Sequence, residues 1–285
     1  MTLAPLPSIF AALADNLAQG KAAVLAVVVA AQGSTPQKAG AKMVLQADGA
    51  TLGTVGGGHL EAQVLQAAQE VLRAGTPRLL EVDLASGDPR QCGGRVTVYL
   101  EPVLPPPVLY IVGAGHVGQA LAGLAAGIGF AVTLWDDRPI SLPPELRQVR
   151  CQQLAAYGDP LPVPGAGDDL YIVIASRSHQ FDEAALTAAL RTPARYIGLL
   201  ASSRKKQTLA QNLLAQGFSP ADLERVYAPV GLDVGAVGPA EIAVSIAAQL
   251  IAIRRNHATA HLSPAFSRRL LQPDGSAQGP AAPER

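Results

Sequence analysis

The spacing of apolar and polar residues predicts two successive patterns of helices and strands. Apolar positions about one helical turn apart predict an opening helix over 7–19, and the β-branched run 24–30 predicts a central strand. A helix over 60–73 has an apolar face, and Gly75 is expected to end it. Further strands are predicted at 42–46, 51–55, 78–84 and 95–101. These elements predict an N-terminal α/β domain over 1–104.

A second pattern begins after three consecutive prolines, 105–107, which are typical of a stiff extended linker. Apolar strands alternate there with helices, which predicts a doubly wound parallel sheet over 108–255. The predicted strands are 108–112, 131–135, 170–175 and 196–199, and the predicted helices are 117–126, 182–191, 204–215 and 239–255. Residues 262–285 are rich in Pro, Gly, Ser, Gln and Ala, so we expect no fixed structure in this tail.

Composition and charge restrict the class of protein. Apolar residues make up 49% of the chain but aromatic residues only 4%, so the cores must consist of Ala, Val, Leu and Ile. Lys and Arg number 22, as do Asp and Glu, and the basic residues form no block that would bind nucleic acid. The longest apolar run, 22–31, is too short to span a bilayer, and no basic segment of a signal peptide precedes Lys21. We therefore expect a cytoplasmic protein that binds neither nucleic acid nor membranes.

The first candidate site is the motif Gly113-Ala114-Gly115-His116-Val117-Gly118, between a predicted strand and a predicted helix. In a Rossmann-like domain such glycines allow a tight turn, the approach of a phosphate and close helix–strand packing. Asp136 ends the next predicted strand, where a carboxylate can bind ribose hydroxyls. The motif predicts a dinucleotide or another phosphate ligand, although glycines used for packing alone would give the same pattern. Arg138 either binds a ribose 2′-phosphate or is solvated.

A second candidate site is Gly56-Gly57-Gly58-His59, again between a predicted strand and a helix. Backbone N–H groups of glycines at the start of a helix can bind an anion. Gly33 and Ser34 belong to another polar loop after a strand, so both loops can lie at one end of the sheet. His59 can donate a hydrogen bond to a phosphate or act as an acid. The alternative is a tight turn with a solvated histidine.

The third candidate is Cys92, which precedes Gly93 and Gly94 in a polar loop. Arg90 and Arg95 are close in sequence and would lower the pKa of its thiol. A thiolate there can bind a soft metal or carry sulfur, whereas the alternative is an inert small apolar residue. The other cysteine, Cys151, is predicted to lie in a core.

A fourth candidate, His179, follows the predicted strand 170–175 together with Ser176 and Arg177. Ligands of doubly wound sheets bind beyond the carboxyl ends of the strands, so His179 is predicted to line a pocket. No two histidines have the spacing of a zinc-protease motif.

Taken together, these segments resemble the xanthine dehydrogenase accessory protein family, known as XdhC or CoxI. The similarity extends from about residue 8 to about residue 255, with the order of all segments kept. The segments are AQGSTP (31–36) with GAKM (40–43), GTVGGGHLE (53–61), CGG (92–94) with EP (101–102), GAGHVG (113–118), WDDRP (135–139), GLL (198–200) with SSRK (202–205), and APVGLD (228–233) leading to PAEIA (239–243).

The resemblance implies a chaperone that binds the molybdenum cofactor (molybdopterin) and delivers its sulfurated form to a xanthine dehydrogenase-type apoenzyme. A cysteine desulfurase is the implied source of the sulfur. Loop 56–59 would hold the pterin phosphate, Cys92 would approach the molybdenum or its sulfur, and motif 113–118 would keep a phosphate site in the second domain. Asp233 and Glu241 lie in matching segments, and no role follows for them.

The same residues leave other functions open. Motif 113–118 is also compatible with an NAD(P)-dependent oxidoreductase, which saturable NADH fluorescence would favour. A third possibility is a scaffold that holds the desulfurase and the apoenzyme without contacting cofactor, which an active Cys92→Ala variant would favour. We expect a chaperone rather than an enzyme, and a homodimer, because closed dimers are the commonest oligomers.

Overall fold

The computed structural model describes residues 6–84, 93–162, 169–201 and 206–257. The chain divides between Pro106 and Pro107 into two compact units. We call the residues up to Pro106 the first unit and the residues from Pro107 onward the second unit.

The first unit contains a five-stranded antiparallel sheet and two helices. The strands lie in the order β3-β2-β1-β5-β4, so the longest strand, β1, is central. The elements are α1 (Leu6–Ala18), β1 (Ala23–Gly33), β2 (Lys42–Gln46), β3 (Thr51–Gly53), α2 (Gly58–Ala74), β4 (Arg78–Asp83) and β5 (Gly94–Val103).

Alternate side chains of β1 belong to two different cores, as the two-residue period of a strand requires. Val24 and Ala26 share a buried cluster with Val64 of α2. Ala23 belongs to a second cluster together with Ile9 of α1. The sheet is therefore covered by one helix on each face, and the predicted central strand is confirmed.

The second unit contains a six-stranded sheet in which every pair of neighbouring strands is parallel. The strand order is β11-β10-β9-β6-β7-β8. The chain builds the sheet outward from β6 in one direction through β7 and β8, and then from β9 in the other. The elements are β6 (Val108–Val112), α3 (His116–Gly127), β7 (Ala131–Asp136), a 3-10 turn (Pro144–Leu146), β8 (Arg150–Gln153), β9 (Leu170–Ile174), α4 (His179–Leu190), β10 (Tyr196–Leu199), α5 (Lys206–Ala215), α6 (Pro220–Leu223), β11 (Val226–Tyr227) and α7 (Pro239–Arg254). This order confirms the predicted doubly wound parallel sheet.

Helices cover both faces of this parallel sheet. Leu109 and Ile111 of β6 belong to a cluster with Leu250 of α7. The intervening Tyr110 belongs to a cluster on the other face, with Leu186 of α4. Strands covered on both sides carry nearly continuous apolar residues, which is why β6 and β9 could be predicted from the sequence.

The pattern of apolar residues did not predict the two edge strands of the second sheet. β8 and β11 have only four and two residues and were not predicted. The prediction that Cys151 lies in a core was wrong, since it is exposed in β8. All residues of β8 are exposed because the strand forms the edge of the sheet. None of the helices in the described residues is long and apolar enough to cross a membrane.

Candidate functional site

Two glycine-containing segments of the first unit meet where β1 ends and β5 begins. Gly33 is paired with Gly94 in the β1–β5 register. A Cβ on Gly33 would lie 2.8 Å from the carbonyl oxygen of Gly93, and one on Gly94 would lie 2.6 Å from that of Gln32. Contacts this short exclude any side chain at Gly33 and Gly94. The two segments can therefore approach each other only because both residues are glycine.

The glycine loop before α2 joins the same cluster of segments. A Cβ on Gly56 would lie 2.6 Å from Cγ of Pro36, so this loop contacts the loop that follows β1. The buried hydroxyl of Thr54 accepts a hydrogen bond from N of Gly56 (3.1 Å) and donates one to Glu61. These bonds fix how the loop enters α2.

The N-terminus of α2 has the features of an anion site. Gly57 is its N-cap residue, and no side chain caps the helix there. Gly57 and Gly58 both have positive φ, and a Cβ on either would meet nothing within 4 Å. The start of a helix carries partial positive charge and unpaired N–H groups, so an anion can approach these two glycines closely.

The other site residues predicted for the first unit are Ser34, His59 and Cys92. Ser34 and His59 are exposed, and Nε2 of His59 is 2.7 Å from Nε2 of Gln63. Cys92, the predicted thiolate, lies outside the described residues, and in the sequence it directly precedes Gly93. No group of three or more His, Cys, Asp or Glu residues that could hold a metal occurs within the described ranges.

In the second unit, the glycines of motif 113–118 have two different roles. A Cβ on Gly113 would collide with the carbonyl oxygen of Ala175, and one on Gly118 would collide with that of Gly113. These two glycines are needed for packing. A Cβ on Gly115 would meet nothing within 4 Å, so internal packing does not require glycine there. The open side of Gly115 leaves room for a ligand at the start of α3.

Asp136, predicted to bind ribose, is buried and hydrogen-bonded within the protein. Its carboxylate accepts from N of Ala114 (2.9 Å) and from N (3.1 Å), Nε (2.9 Å) and Nη2 (3.3 Å) of Arg138. Burial by itself raises the pKa of Asp136, but these hydrogen bonds outweigh it and lower the pKa well below its usual range. The carboxylate is thus ionised. Arg138, which the sequence predicted either to bind a 2′-phosphate or to be solvated, is paired with Asp136.

The structure adds Arg177 to the candidate site. The sequence had shown only that this residue follows a predicted strand. Its guanidinium donates two hydrogen bonds of 2.6 Å to the carboxylate of Asp137 and lies 4.5 Å from the ring centre of Phe181. Ser176 donates to Asp182 (2.6 Å), whose pKa is raised by burial. A spacing rule cannot find Arg177, because its partner Asp137 follows a different strand.

A cavity of about 260 Å³ lies beyond the carboxyl ends of β6, β7 and β9. Gly115, His116, Arg138 and Arg177 line it, so two guanidinium groups face a space next to the start of α3. His179 is the first residue of α4, and its side chain lies outside the described part.

A second cavity, of about 570 Å³, lies beyond the ends of β10 and β11 and next to α7. Leu200 lines both cavities, so they adjoin. Asp233 and Gln249 are among the lining residues of the second. The sequence offered one signal for it, the segment 228–233, to which no role could be given.

A six-stranded parallel sheet of this order, with a glycine turn after its first strand, defines a Rossmann-type domain. In this chain it follows an antiparallel α/β unit. The chain matches the family model described as the XdhC Rossmann domain over residues 109–250, and that of the XdhC and CoxI family over residues 16–83. The chain belongs to the XdhC and CoxI family, as its sequence segments predicted.

Three curated proteins illustrate the similarity. The chain is 34% identical over 238 residues to an uncharacterized protein, YqeB, of Escherichia coli K12, covering 81% of this chain and 43% of YqeB. It is 32% identical over 165 residues to a probable xanthine dehydrogenase subunit of Bacillus subtilis 168, covering 55% and 46%. It is 24% identical over 295 residues to the molybdenum cofactor insertion chaperone PaoD of E. coli K12, covering 84% and 86%. The chain spans less than half of the length of YqeB and of the Bacillus protein.

Proposed function

We propose that this protein is an accessory protein that binds the molybdenum cofactor and delivers its sulfurated form to a xanthine dehydrogenase-type apoenzyme. A cysteine desulfurase supplies the sulfur, and the protein itself turns over no substrate. The observation that carries this proposal is that three segments of the first unit, 32–36, 54–58 and 93–94, meet. The last of them directly follows Cys92 in the sequence.

The described residues of the first unit fit a phosphate-bearing cofactor. Gly57 and Gly58 leave open space where side chains would stand, at a helix N-terminus without a side-chain cap. The N–H groups of such a loop donate to phosphate oxygens, and exposed His59 lies on the first turn of the same helix. The cofactor, when bound, supplies the molybdenum chemistry that the target enzyme uses. The chain holds the phosphate, and the thiol of Cys92 is proposed to face the metal or its sulfur.

The names of two relatives support the same role. PaoD, which covers nearly the same length as this chain, is a molybdenum cofactor insertion chaperone. The Bacillus protein is a probable component of a xanthine dehydrogenase. We extend to this chain a role in supplying cofactor to an enzyme of that kind, acting in the cytoplasm as a homodimer.

Cofactor content tests the proposal directly. The protein is expressed in a host that makes molybdopterin, purified without oxygen, and assayed for released fluorescent pterin and for molybdenum. We expect near-stoichiometric pterin in the wild type and clearly less in Cys92→Ala, because loss of a soft ligand weakens metal binding. Absence of pterin under conditions that load a known carrier would contradict the proposal.

The chain offers a matched control for this experiment. Cys151 is exposed on β8 of the second unit, and Cys151→Ala should retain the wild-type cofactor content. An equal loss in both variants would show that the loss does not depend on a site at Cys92. Unchanged content in Cys92→Ala would remove Cys92 from the site and leave the glycine loop to be tested by His59→Ala.

An NAD(P)-dependent oxidoreductase is the second candidate, favoured by the parallel sheet and the open face of Gly115. The environment of Asp136 weighs against it. A carboxylate offers about four acceptor positions, and Ala114 and Arg138 already donate to Asp136. A saturable increase in NADH fluorescence on titration with protein would favour this candidate over the first.

A further inference from the structure

We propose that the second unit binds a phosphorylated planar heterocycle, with its phosphate beside Gly115 and its heterocycle in the adjoining cavity lined by Gln249. The preferred heterocycle carries a carbonyl group and N–H groups on one edge. This site lies within the second unit, whereas the function proposed above rests on the glycine loop of the first unit.

The two cavities provide compartments of different chemistry. The cavity beside Gly115 is lined by Arg138 and Arg177, each paired with a carboxylate, and it lies at the start of α3, whose N–H groups suit an anion. The cavity beyond β10 and β11 has a volume of about 570 Å³, within the usual range for small-molecule sites. Because Leu200 lines both, one ligand can occupy the two compartments at once.

Gln249 presents a hydrogen-bond donor to the larger cavity. The residue is only 2% exposed, yet it lines that cavity. Its carboxamide oxygen accepts from the hydroxyl of Tyr196 and from N of Gly231 (2.8 Å), which fixes the orientation of the amide. Burial raises the pKa of Tyr196 well above its usual value, so its hydroxyl remains a donor.

The amide nitrogen of Gln249 has no hydrogen-bond acceptor within the described residues. This nitrogen is not one of the buried polar atoms that lack a partner, so it is accessible from the cavity, where a ligand acceptor can replace water. The carbonyl group of a heterocycle supplies such an acceptor. Asp233 lines the same cavity and can accept from the N–H groups of that heterocycle. Leu200 and Ile242 supply apolar surface for its faces.

The hydrogen bonds of Asp136 decide the direction in which the ligand extends. In dinucleotide sites the carboxylate at this position binds a ribose, but here it is already bound by Ala114 and Arg138. A ligand anchored beside Gly115 therefore extends toward Leu200 and Gln249 rather than toward Asp136. A mononucleotide or a pterin phosphate combines a phosphate with such a heterocycle, whereas the adenosine half of NAD would extend toward Asp136, whose acceptor positions are already used.

Calorimetric titration of the full chain tests the proposal. The probes are guanosine monophosphate, cytidine monophosphate, neopterin monophosphate and, as the ligand without a heterocycle, ribose phosphate. We expect at least one of the first three to bind about tenfold or more tightly than ribose phosphate, because the heterocycle adds hydrogen bonds to Gln249 and Asp233. Preference for a nucleotide would identify a separate ligand, and preference for the pterin would identify a second site for the cofactor class proposed above.

Two variants locate the heterocycle. Gln249→Glu keeps an oxygen for Tyr196 and Gly231 but removes the donor, so heterocycle binding should weaken about tenfold while ribose phosphate binding stays unchanged. If that variant fails to fold, exposed Asp233→Asn tests the other part of the same edge, because it replaces a charged acceptor by a weaker neutral one, with exposed Asp15→Asn on α1 as its control.

Equal affinity for ribose phosphate and all three heterocycles would overturn the proposal, as would unchanged binding in both Gln249→Glu and Asp233→Asn. Lack of binding by every probe would overturn it too. None of these results depends on pterin content or on Cys92, so they are distinguishable from failure of the accessory function.

Discussion

Both units have a glycine turn in which some glycines are packed against the backbone and others are open. The surroundings of the open glycines differ between the two units. In the first unit Gly33, Gly56 and Gly94 permit close backbone contacts, while Gly57 and Gly58 are open. In the second unit Gly113 and Gly118 permit packing, while Gly115 is open. A glycine-rich motif therefore combines positions needed for folding with positions available to a ligand, and only the neighbouring atoms tell them apart.

The surroundings of the open glycines differ in charge. At the start of α2 the nearby described groups are backbone amides, the exposed side chain of His59 and the carboxylate of Glu61, which accepts from Thr54. At the start of α3, Arg138 and Arg177 line the cavity, and both are held by carboxylates. The second unit thus offers charged hydrogen-bond donors whose charges are balanced by carboxylates, whereas the first offers N–H groups in a segment that meets the residues after Cys92. The predictions below test this division.

The largest effect is expected for Gly118→Ala in the second unit. Its Cβ would collide with the carbonyl oxygen of Gly113, so the free energy of unfolding should fall by about 3 kcal/mol. Gly115→Ala is the matched control, because its Cβ meets nothing and its φ of −72° suits alanine, so its cost should stay within about 1 kcal/mol. Urea unfolding followed by the fluorescence of Trp135, the single tryptophan, measures both. Equal losses would show that the two glycines do not have different roles.

In the first unit, the neighbours Gly93 and Gly94 allow the same comparison. A Cβ on Gly94 would lie within 2.8 Å of Gln32, Ser34 and Thr35, so Gly94→Ala should lower the free energy of unfolding by about 2 kcal/mol. Gly93→Ala places its Cβ in open space and should change it little. Scanning calorimetry together with hydrogen exchange of the β1 and β5 amides measures the effect. A stable Gly94→Ala variant would contradict the close contact of these segments.

Asp136→Asn should lower the free energy of unfolding by about 1.5 kcal/mol near neutral pH, because hydrogen bonds to a charged acceptor are lost. The pKa of Asp136 is lowered in the folded protein, so its stabilisation is complete above the ordinary value of 3.8 and is lost as pH falls below it. Trp135 fluorescence across this pH range should therefore show a smaller acid dependence in Asp136→Asn than in the wild type. Exposed Asp15→Asn serves as the control. An unchanged acid dependence would show that Arg138 does not hold the carboxylate ionised.

The smallest effect is expected for Thr54→Val, at about 1 kcal/mol. The buried hydroxyl of Thr54 accepts from N of Gly56, and valine would leave that N–H without its partner. Exposed Thr51→Val on β3 is the control and should change the free energy of unfolding little. Calorimetry and pterin content are measured on both variants. If Thr54→Val lost stability but kept its pterin, the hydroxyl would support the fold without shaping the cofactor site.

Much of the fold could be predicted because its strands are apolar and its turns are marked by glycine. The strands 42–46, 108–112 and 196–199 were predicted with the bounds that the structure gives. β8 and β11 were missed because edge strands bury little, so their apolar pattern is weak. Cys151 was misplaced because its strand β8, which the sequence did not reveal, lies at the exposed edge of the sheet.

The candidate sites were predictable only in part. Loop 56–59 and motif 113–118 have a local signature, because a strand, glycines and a helix follow one another in sequence. The cavity lined by Gln249 has no such signature. It combines residues from the ends of β10 and β11 with a side chain of α7 that is 49 residues away from Leu200.

The sequence by itself determined the order of helices and strands, the doubly wound sheet, the family and the positions of the glycine turns, because periodicity and φ preferences are local properties. Only the tertiary structure decided which glycines are needed for packing, that Asp136 is bound by Ala114 and Arg138, and that Gln249 presents a donor to a cavity. These outcomes depend on distances between residues far apart in the chain, which are fixed when the strands and helices pack together.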